Sequence, residues 1–219
     1  RQLEPFKMHD RLKQTPLQTL HTDLGAKMVD FAGWYMPVQY SGIIDEHTQC
    51  RQRAALFDVS HMGQVELRGD EPAKSLETLV PSAIIGLAEG RARYTSFTTV
   101  DGGIMDDLIV ANAGDHLYLV VNASMREQDI YHMHEALSDV EVVELTDRAL
   151  VALQGPRAEA ALATIAPAAR DLEFMETTMC YIGGASCRVS RLGYTGEDGF
   201  EISIPEPNAR EVVEVLLDH

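Results

Sequence analysis

The sequence predicts an α+β fold with largely antiparallel sheets, on three observations. Turn chemistry joins neighbouring strand-like runs, apolar and polar residues alternate over several short segments, and the helical stretches fall between them without a regular βαβ period. The segment GQVELRG (63–69) alternates and reads as a strand, followed by a short helix around 71–79. YTSFTTV (94–100) and IMDDLIV (104–110) flank Asp101-Gly102-Gly103, whose residues suit the positive φ angles of a tight hairpin. HLYLVVNA (116–123) is a further strand. It leads into SMREQDIYHMHEAL, where Ser124 and Glu127 have the spacing of a capping box that opens a helix. VEVVEL and ALVALQG are strands, and Pro156 starts a helix in PRAEAALATI. SCRVSRL and GFEISIP are strands around the loop GYTGEDG, and residues 208–218 form an amphipathic last helix with Val212, Val213, Val215, Leu216 and Leu217 on or near one face. That helix meets no Gly, Asn or Pro, and the chain starts without Met, so it reads as a piece of something longer.

With 219 residues, 45% hydrophobic and 24% charged, the chain is long enough for one large domain or two small ones. The formal charge of −16 is uneven. Residues 1–110 hold 11 Lys+Arg against 15 Asp+Glu, residues 111–219 hold 7 against 19, and no lysine follows Lys74. Such a balance excludes a nucleic-acid or anionic-membrane binder, both of which need a basic footprint. It reads as a solvated acidic surface. No apolar run approaches the roughly 18 residues of a membrane span, and no basic-then-apolar leader is present, so a soluble intracellular protein is expected. Cys50, Cys180 and Cys187 are odd in number and lack zinc spacing, which favours reduced thiols over a disulfide framework.

Chemistry is concentrated in few places. In DGGIMDDLIV, strand alternation puts Ile104, Asp106, Leu108 and Val110 on one face and Met105, Asp107 and Ile109 on the other. Each apolar face thus carries one carboxylate, which is costly unless paired or hydrogen-bonded. From opposite faces the two cannot chelate one ion. Glu201 lies opposite Phe200, Ile202 and Ile204, so it either points outward or lines a polar pocket, and Gly193, Gly196 and Gly199 permit turns or a close ligand approach. Asp58, Ser60 and His61 cluster in sequence, but a triad needs groups converging from separate elements and no Gly-x-Ser-x-Gly elbow is present. His132 and His134, two apart in a helix, face different sides, which argues against a metal pair. There is no Walker, Rossmann or zinc motif. Phe31, Trp34, Tyr35, Met36 and Tyr40 read mostly as core, with a flat ligand between them as the alternative.

Taken together, GAKMVDFAGWYMPVQY, LFDVSHMGQV, GGIMDDLIV, LQGP and GYTGEDGFEISI occur in an order that resembles the T-protein family, the tetrahydrofolate-dependent aminomethyltransferases of the glycine cleavage system. The resemblance covers nearly the whole chain. It implies transfer of a one-carbon unit from an aminomethyl group on the lipoyl arm of H-protein to tetrahydrofolate, giving 5,10-methylenetetrahydrofolate and ammonia, with no metal. It also implies a three-domain fold around a folate channel. This chain would supply two intertwined domains with flanking helices, one from 1–50 plus 140–219 and one inserted at 51–139, and would lack the third. The family motif puts the second aspartate toward the folate, so Asp107 is the expected catalytic residue, orienting the attacking folate amine and handling protons as ammonia leaves. Asp106 is then structural. Glu201 matches the position that hydrogen-bonds the pterin, and Tyr194, Met62, Tyr94 and Asn122 match channel-lining positions. An arginine and aromatic residues of the family pocket would lie beyond His219, and the basic surface expected to meet an acidic H-protein is not obvious here. The implied location is the cytoplasm, or the mitochondrial matrix in a eukaryote. Folate-dependent demethylases of related families and non-catalytic folate binders of the iron–sulfur assembly type are the alternatives.

Overall fold

A computed structural model describes residues 11–219. Two five-stranded antiparallel sheets, each backed by helices, meet along a shared apolar seam, and a small three-stranded sheet lies beside them. The small sheet comes first in the chain. β1 (Lys13–Gln14) pairs in parallel with β3 (Trp34–Gln39), which forms an antiparallel hairpin with β2 (Lys27–Phe31). The helix α1 (Gln18–Asp23) precedes this hairpin and α2 (Ile43–Gln52) follows it.

One large sheet has the order β11-β12-β13-β10-β4. Its strands are β4 (Ala55–Asp58), β10 (Arg148–Gln154), β11 (Thr177–Ile182), β12 (Ala185–Ser190) and β13 (Gly199–Pro205). Alternation along β13 sends Phe200, Ile202 and Ile204 to one face, where all three are fully buried. They pack with Val151, Leu153 and Val189 against α5 (Ala158–Ile165) and α6 (Ala209–Leu217), which supply Leu162, Val212, Val213 and Leu216. Removing side chains of this size from water stabilises the fold by about 1.5–3 kcal/mol each.

The other sheet runs β6-β7-β8-β5-β9. It comprises β5 (Gly63–Arg68), β6 (Ala92–Thr98), β7 (Ile104–Asn112), β8 (Leu117–Val121) and β9 (Glu141–Glu144). Its outer face buries Val65, Leu67, Phe97, Leu108, Leu119 and Val121 under α3 (Pro72–Leu76) and α4 (Arg126–Ala136), which contribute Leu76, Ile130 and Met133. The inner face meets the first sheet through Met62, Ile109, Ala111, Tyr118, Val120, Leu150 and Leu192. β8 is therefore buried on both faces, which is why LYLVV is apolar throughout instead of alternating. Cys50, Cys180 and Cys187 are buried free thiols.

Three sequence expectations change. The β6–β7 hairpin closes as foreseen, with Gly102 at φ +82°, but the pairing slips after Phe97↔Asp106 to Thr98↔Ile104. Met105 is the extra residue of this bulge and packs on the outer core beside Leu108, while Ile104 is exposed. Met105 therefore does not share the face of Asp107. Ser124 and Glu127 form no capping box: α4 starts at Arg126 without a side-chain cap, and Glu127 bonds Lys13 at 2.5 Å. Of the aromatic stretch only Met36 is core. Phe31 and Tyr40 are exposed, and the Trp34 ring, on the central strand of the small sheet, has Lys13 Nζ 5.7 Å and the Arg126 guanidinium 5.9 Å from its centroid.

Candidate active site at the seam of the two sheets

Asp107 reaches the site because it lies in the regular part of the β6–β7 ladder, opposite Ser96, and shares by alternation the face of Ile109, which is buried in the seam. The β7–β8 ladder pairs Leu108 with Val121, so Asn122, the first residue past β8, falls beside Asp107. Asn122 Nδ2 donates to Asp107 Oδ1 at 2.8 Å and lies 3.2 Å from both Asp106 oxygens. One amide thus links two carboxylates that the alternation rule alone would send to opposite sides. Tyr94 is on the neighbouring strand β6, where its backbone pairs with Ile109. Its hydroxyl hydrogen-bonds Asp107, and that bond, followed by desolvation and the charges of Asp107 and Asp106, pushes the phenol up from its ordinary value.

Glu201 comes from the other sheet. It is 3% exposed, and its Oε1 has no partner among the described residues. Burial pushes its carboxyl up to about 7. It faces a narrow space walled by Ile109, Tyr118, Leu150, Arg188 and Leu192, on the side of β13 opposite Phe200, so it does not point to solvent. Its neighbour on that face, Ser203, donates to Gln64 Oε1 at 2.5 Å, and Tyr118 donates to the same oxygen at 2.9 Å. Ser203, Tyr118 and Gln64 thus satisfy one another across the seam, while Glu201 Oε1 is left with free acceptor capacity.

Tyr194 closes the group from the loop between β12 and β13. Burial raises its phenol, and Glu201, Asp107, Tyr94 and Asp106 raise it further, so all four lie close enough to act on it electrostatically. Met62 is buried in the seam cluster with Ile109 and Leu192. The structure therefore brings Asp107, Asn122, Tyr94, Tyr194, Glu201 and Met62 to one seam from six segments of the two sheets and their loops.

The loop that carries Tyr194 is held by a residue to which sequence reasoning assigned no role. Gln154, fully buried at the end of β10, donates to Leu192 O at 3.0 Å and accepts from Thr195 at 2.8 Å. A Cβ on Gly193 would lie 2.1 Å from Gln154 Oε1, and one on Gly199 would lie 2.4 Å from Leu153 O. These two glycines make room for the protein's own glutamine and backbone, not for a ligand. Asp129 was also missed. It is fully buried in α4, and burial together with Asp106 and Asp107 pushes its carboxyl up to about 8.

A cleft of about 820 Å³ lies elsewhere, between α1, α2, β4 and α6. Three of its polar groups, His21, Asp58 and Tyr40, are engaged with one another. His21 Nε2 meets Asp58 Oδ2 at 2.8 Å and its Nδ1 meets the Tyr40 hydroxyl at 2.8 Å, while Thr15 donates to Asp58 at 2.6 Å. Asp58 therefore works with His21, from another element, and not with its sequence neighbour His61, whose ring sits edge-on to Phe31 and Trp34. The unpartnered carboxylate at the seam makes the seam the better candidate for chemistry.

Comparison with known proteins gives the family of the chain. The GCVT N-terminal domain matches residues 17–219. The mitochondrial aminomethyltransferase of Dictyostelium discoideum is 42% identical over 97% of this chain and 56% of its own length, and the aminomethyltransferase of Rubrobacter xylanophilus is 46% identical over 94% and 57%. The crystal structure of glycine cleavage system aminomethyltransferase T from Bartonella henselae superposes with a TM-score of 0.86 at 37% identity, over 94% of this chain and 57% of that one. The chain spans a little over half the length of these relatives, corresponding to their N-terminal part. It is a member of the GCVT N-terminal domain family, with the α+β fold of the aminomethyltransferases.

Proposed function

We propose that the protein to which this chain belongs transfers an aminomethyl-derived one-carbon unit from the lipoyl arm of H-protein to tetrahydrofolate, releasing ammonia and 5,10-methylenetetrahydrofolate. The observation that carries this reading is the convergence at one seam of an acceptor-rich Glu201 and the Asp107–Asn122–Tyr94 cluster. A pterin presents an amide N–H and an amino group along one edge, which suits a buried carboxylate with a free oxygen. Nothing among the described residues satisfies Glu201 Oε1, so a ligand donor is the natural complement.

In this reading Glu201 holds the pterin edge, Met62 and Tyr194 pack along it, and Asp107 faces the folate amine that attacks the aminomethyl carbon. A carboxylate there orients the amine by accepting its N–H. It also stabilises the positive charge that develops on nitrogen, and takes or returns a proton as ammonia departs. Asn122 and Tyr94 donate to Asp107 and fix its rotamer. The domain division, with 51–139 inserted into 1–50 plus 140–219, is supported by sheet membership, although β4 belongs to the sheet of β10 and β9 to that of β5. The relatives' names favour an aminomethyl donor over the methyl donors of folate-dependent demethylases. Isothermal calorimetry on the longer parent protein tests the ligand class: tetrahydrofolate should bind and adenine nucleotides should not, and the reverse result would remove this reading.

A further inference from the structure

Asp129 presents a problem that the seam chemistry does not solve by itself. The helix α4 presses Ile130 and Met133 onto the outer core, and this places the preceding Asp129 in the interior with no exposed surface. Neither of its carboxyl oxygens finds a donor among the described residues. The polar group within hydrogen-bond reach is the Asp106 carboxyl, itself an acceptor for Asn122 at 3.2 Å on both oxygens. Two carboxylates cannot bond each other, but one proton between them makes a short charge-assisted hydrogen bond.

We propose that Asp129 is a positioning residue: it carries a proton that it donates to Asp106, and this holds Asp106 against the Asn122 amide and the amide against Asp107. The inference rests on the reading of Asp107 as the group that faces the folate amine. The groups that face Asp129 are Asp106 and Asp107 from β7. On its own helix, Arg126 is engaged by Glu144 at 2.9 Å, and the His132 ring sits edge-on to Phe97 at 5.5 Å. No cation is therefore set against Asp129, and a third negative charge beside Asp106 and Asp107 would be costly in this interior. Asp106 has an amide donor from Asn122 and Asp129 has none, which assigns the proton to Asp129. Burial and the two neighbouring charges, which push Asp129 up to about 8, agree with that assignment. Among the described residues no metal-ligand set forms here, so a bound cation is not the alternative the side chains offer.

Deprotonation would leave three carboxylates around one amide. Asp106 would turn from Asp129, Asn122 would lose its second anchor, and Asp107 would lose a fixed rotamer. A merely space-filling Asp129 would transmit none of this to Asn122.

The test is a carbon-13 NMR titration of the aspartate carboxyls in the 219-residue chain, with Asp129→Asn used for assignment and its melting temperature as the check on folding. The expected result is a carboxyl that titrates near pH 8, is missing from D129N, and is accompanied by movement of the Asn122 side-chain amide signals at the same midpoint. Titration of Asp129 in the ordinary carboxylate range, or an Asn122 amide that does not respond, would overturn the proposal. In the full-length parent, Asp129→Ala should lower single-turnover transfer at least tenfold at pH 7. Asp129→Asn, which still donates to Asp106, should restore most of the rate and remove the loss of rate above about pH 8. An alkaline limb that persists in D129N would also overturn the proposal. If the NMR midpoint and the Asn122 response are found but the parent transfers nothing at any pH, the proton assignment stands and the functional reading fails.

Discussion

Replacing Glu201 by Gln keeps the shape of the side chain and removes its titration, which makes the energetic cost of the seam carboxylate measurable. In the folded chain Glu201 is 3% exposed and its pKa is pushed up by burial to about 7, from an ordinary value of 4.5. Because the folded state holds the proton more tightly than the unfolded one, its stability is fully present below about pH 4.5 and falls as pH rises toward 7. At about 1.4 kcal/mol per pKa unit, the wild-type chain should lose about 3 kcal/mol relative to Glu201→Gln over that interval. Asp129 produces a loss of the same sign up to about pH 8, but it does so in both proteins and cancels from the difference. Urea unfolding of the two chains at pH 5, 6, 7 and 8 reads this directly. The expected pattern is a stability difference that shifts in favour of E201Q as the pH rises. Parallel curves would show that Glu201 keeps an ordinary pKa, and would remove the argument that it waits unpartnered for a ligand donor.

Gly193→Ala would put a Cβ 2.1 Å from Gln154 Oε1, so the glutamine must leave its bonds to Leu192 and Thr195; a loss of about 1–3 kcal/mol is expected in denaturant melts. Phe97→Ala deletes a fully buried ring from the outer core and should cost about 3–5 kcal/mol, measured in the same way. Burial pushes the Asp58 carboxyl up, but hydrogen bonds from His21, Ser60 and Thr15 outweigh it and hold it below its ordinary value. That stabilisation is present above the ordinary carboxylate range and is lost as pH falls through the depressed folded value, so His21→Ala should move acid unfolding to higher pH, followed by circular dichroism.

What could be read in the sequence was what period and turn chemistry decide. The β6–β7 hairpin, the β13 alternation around Glu201 and the amphipathic face of α6 follow from spacing alone. The motif positions, each weak alone, pointed to residues that the fold brings to one seam from both sheets. The failures have local causes. A bulge adds one residue without changing the apolar count, so Met105 was put on the wrong face. The capping box failed because the chain turns through Met125 before α4 begins, leaving Glu127 to Lys13. The aromatic stretch was read as core because aromatics usually are, but it forms a small sheet at the edge of the two large ones. Asp129 and Gln154 were unreadable because their importance lies in which side chains they meet, and partners from β7 and the 193–199 loop leave no trace in local pattern.

Single-turnover transfer by the full-length parent, with aminomethylated H-protein and tetrahydrofolate, tests the central claim most directly when wild type is compared with Asp107→Asn. The amide preserves the volume of the side chain and its contact with Asn122 but removes the charge and most of the proton-accepting capacity. If Asp107 faces the folate amine, 5,10-methylenetetrahydrofolate formation should fall by roughly two to four orders of magnitude, while the melting temperature holds. Near-normal transfer by Asp107→Asn would contradict the account, and a severe loss confined to Asp106→Asn would mean that the other carboxylate of the pair faces the folate.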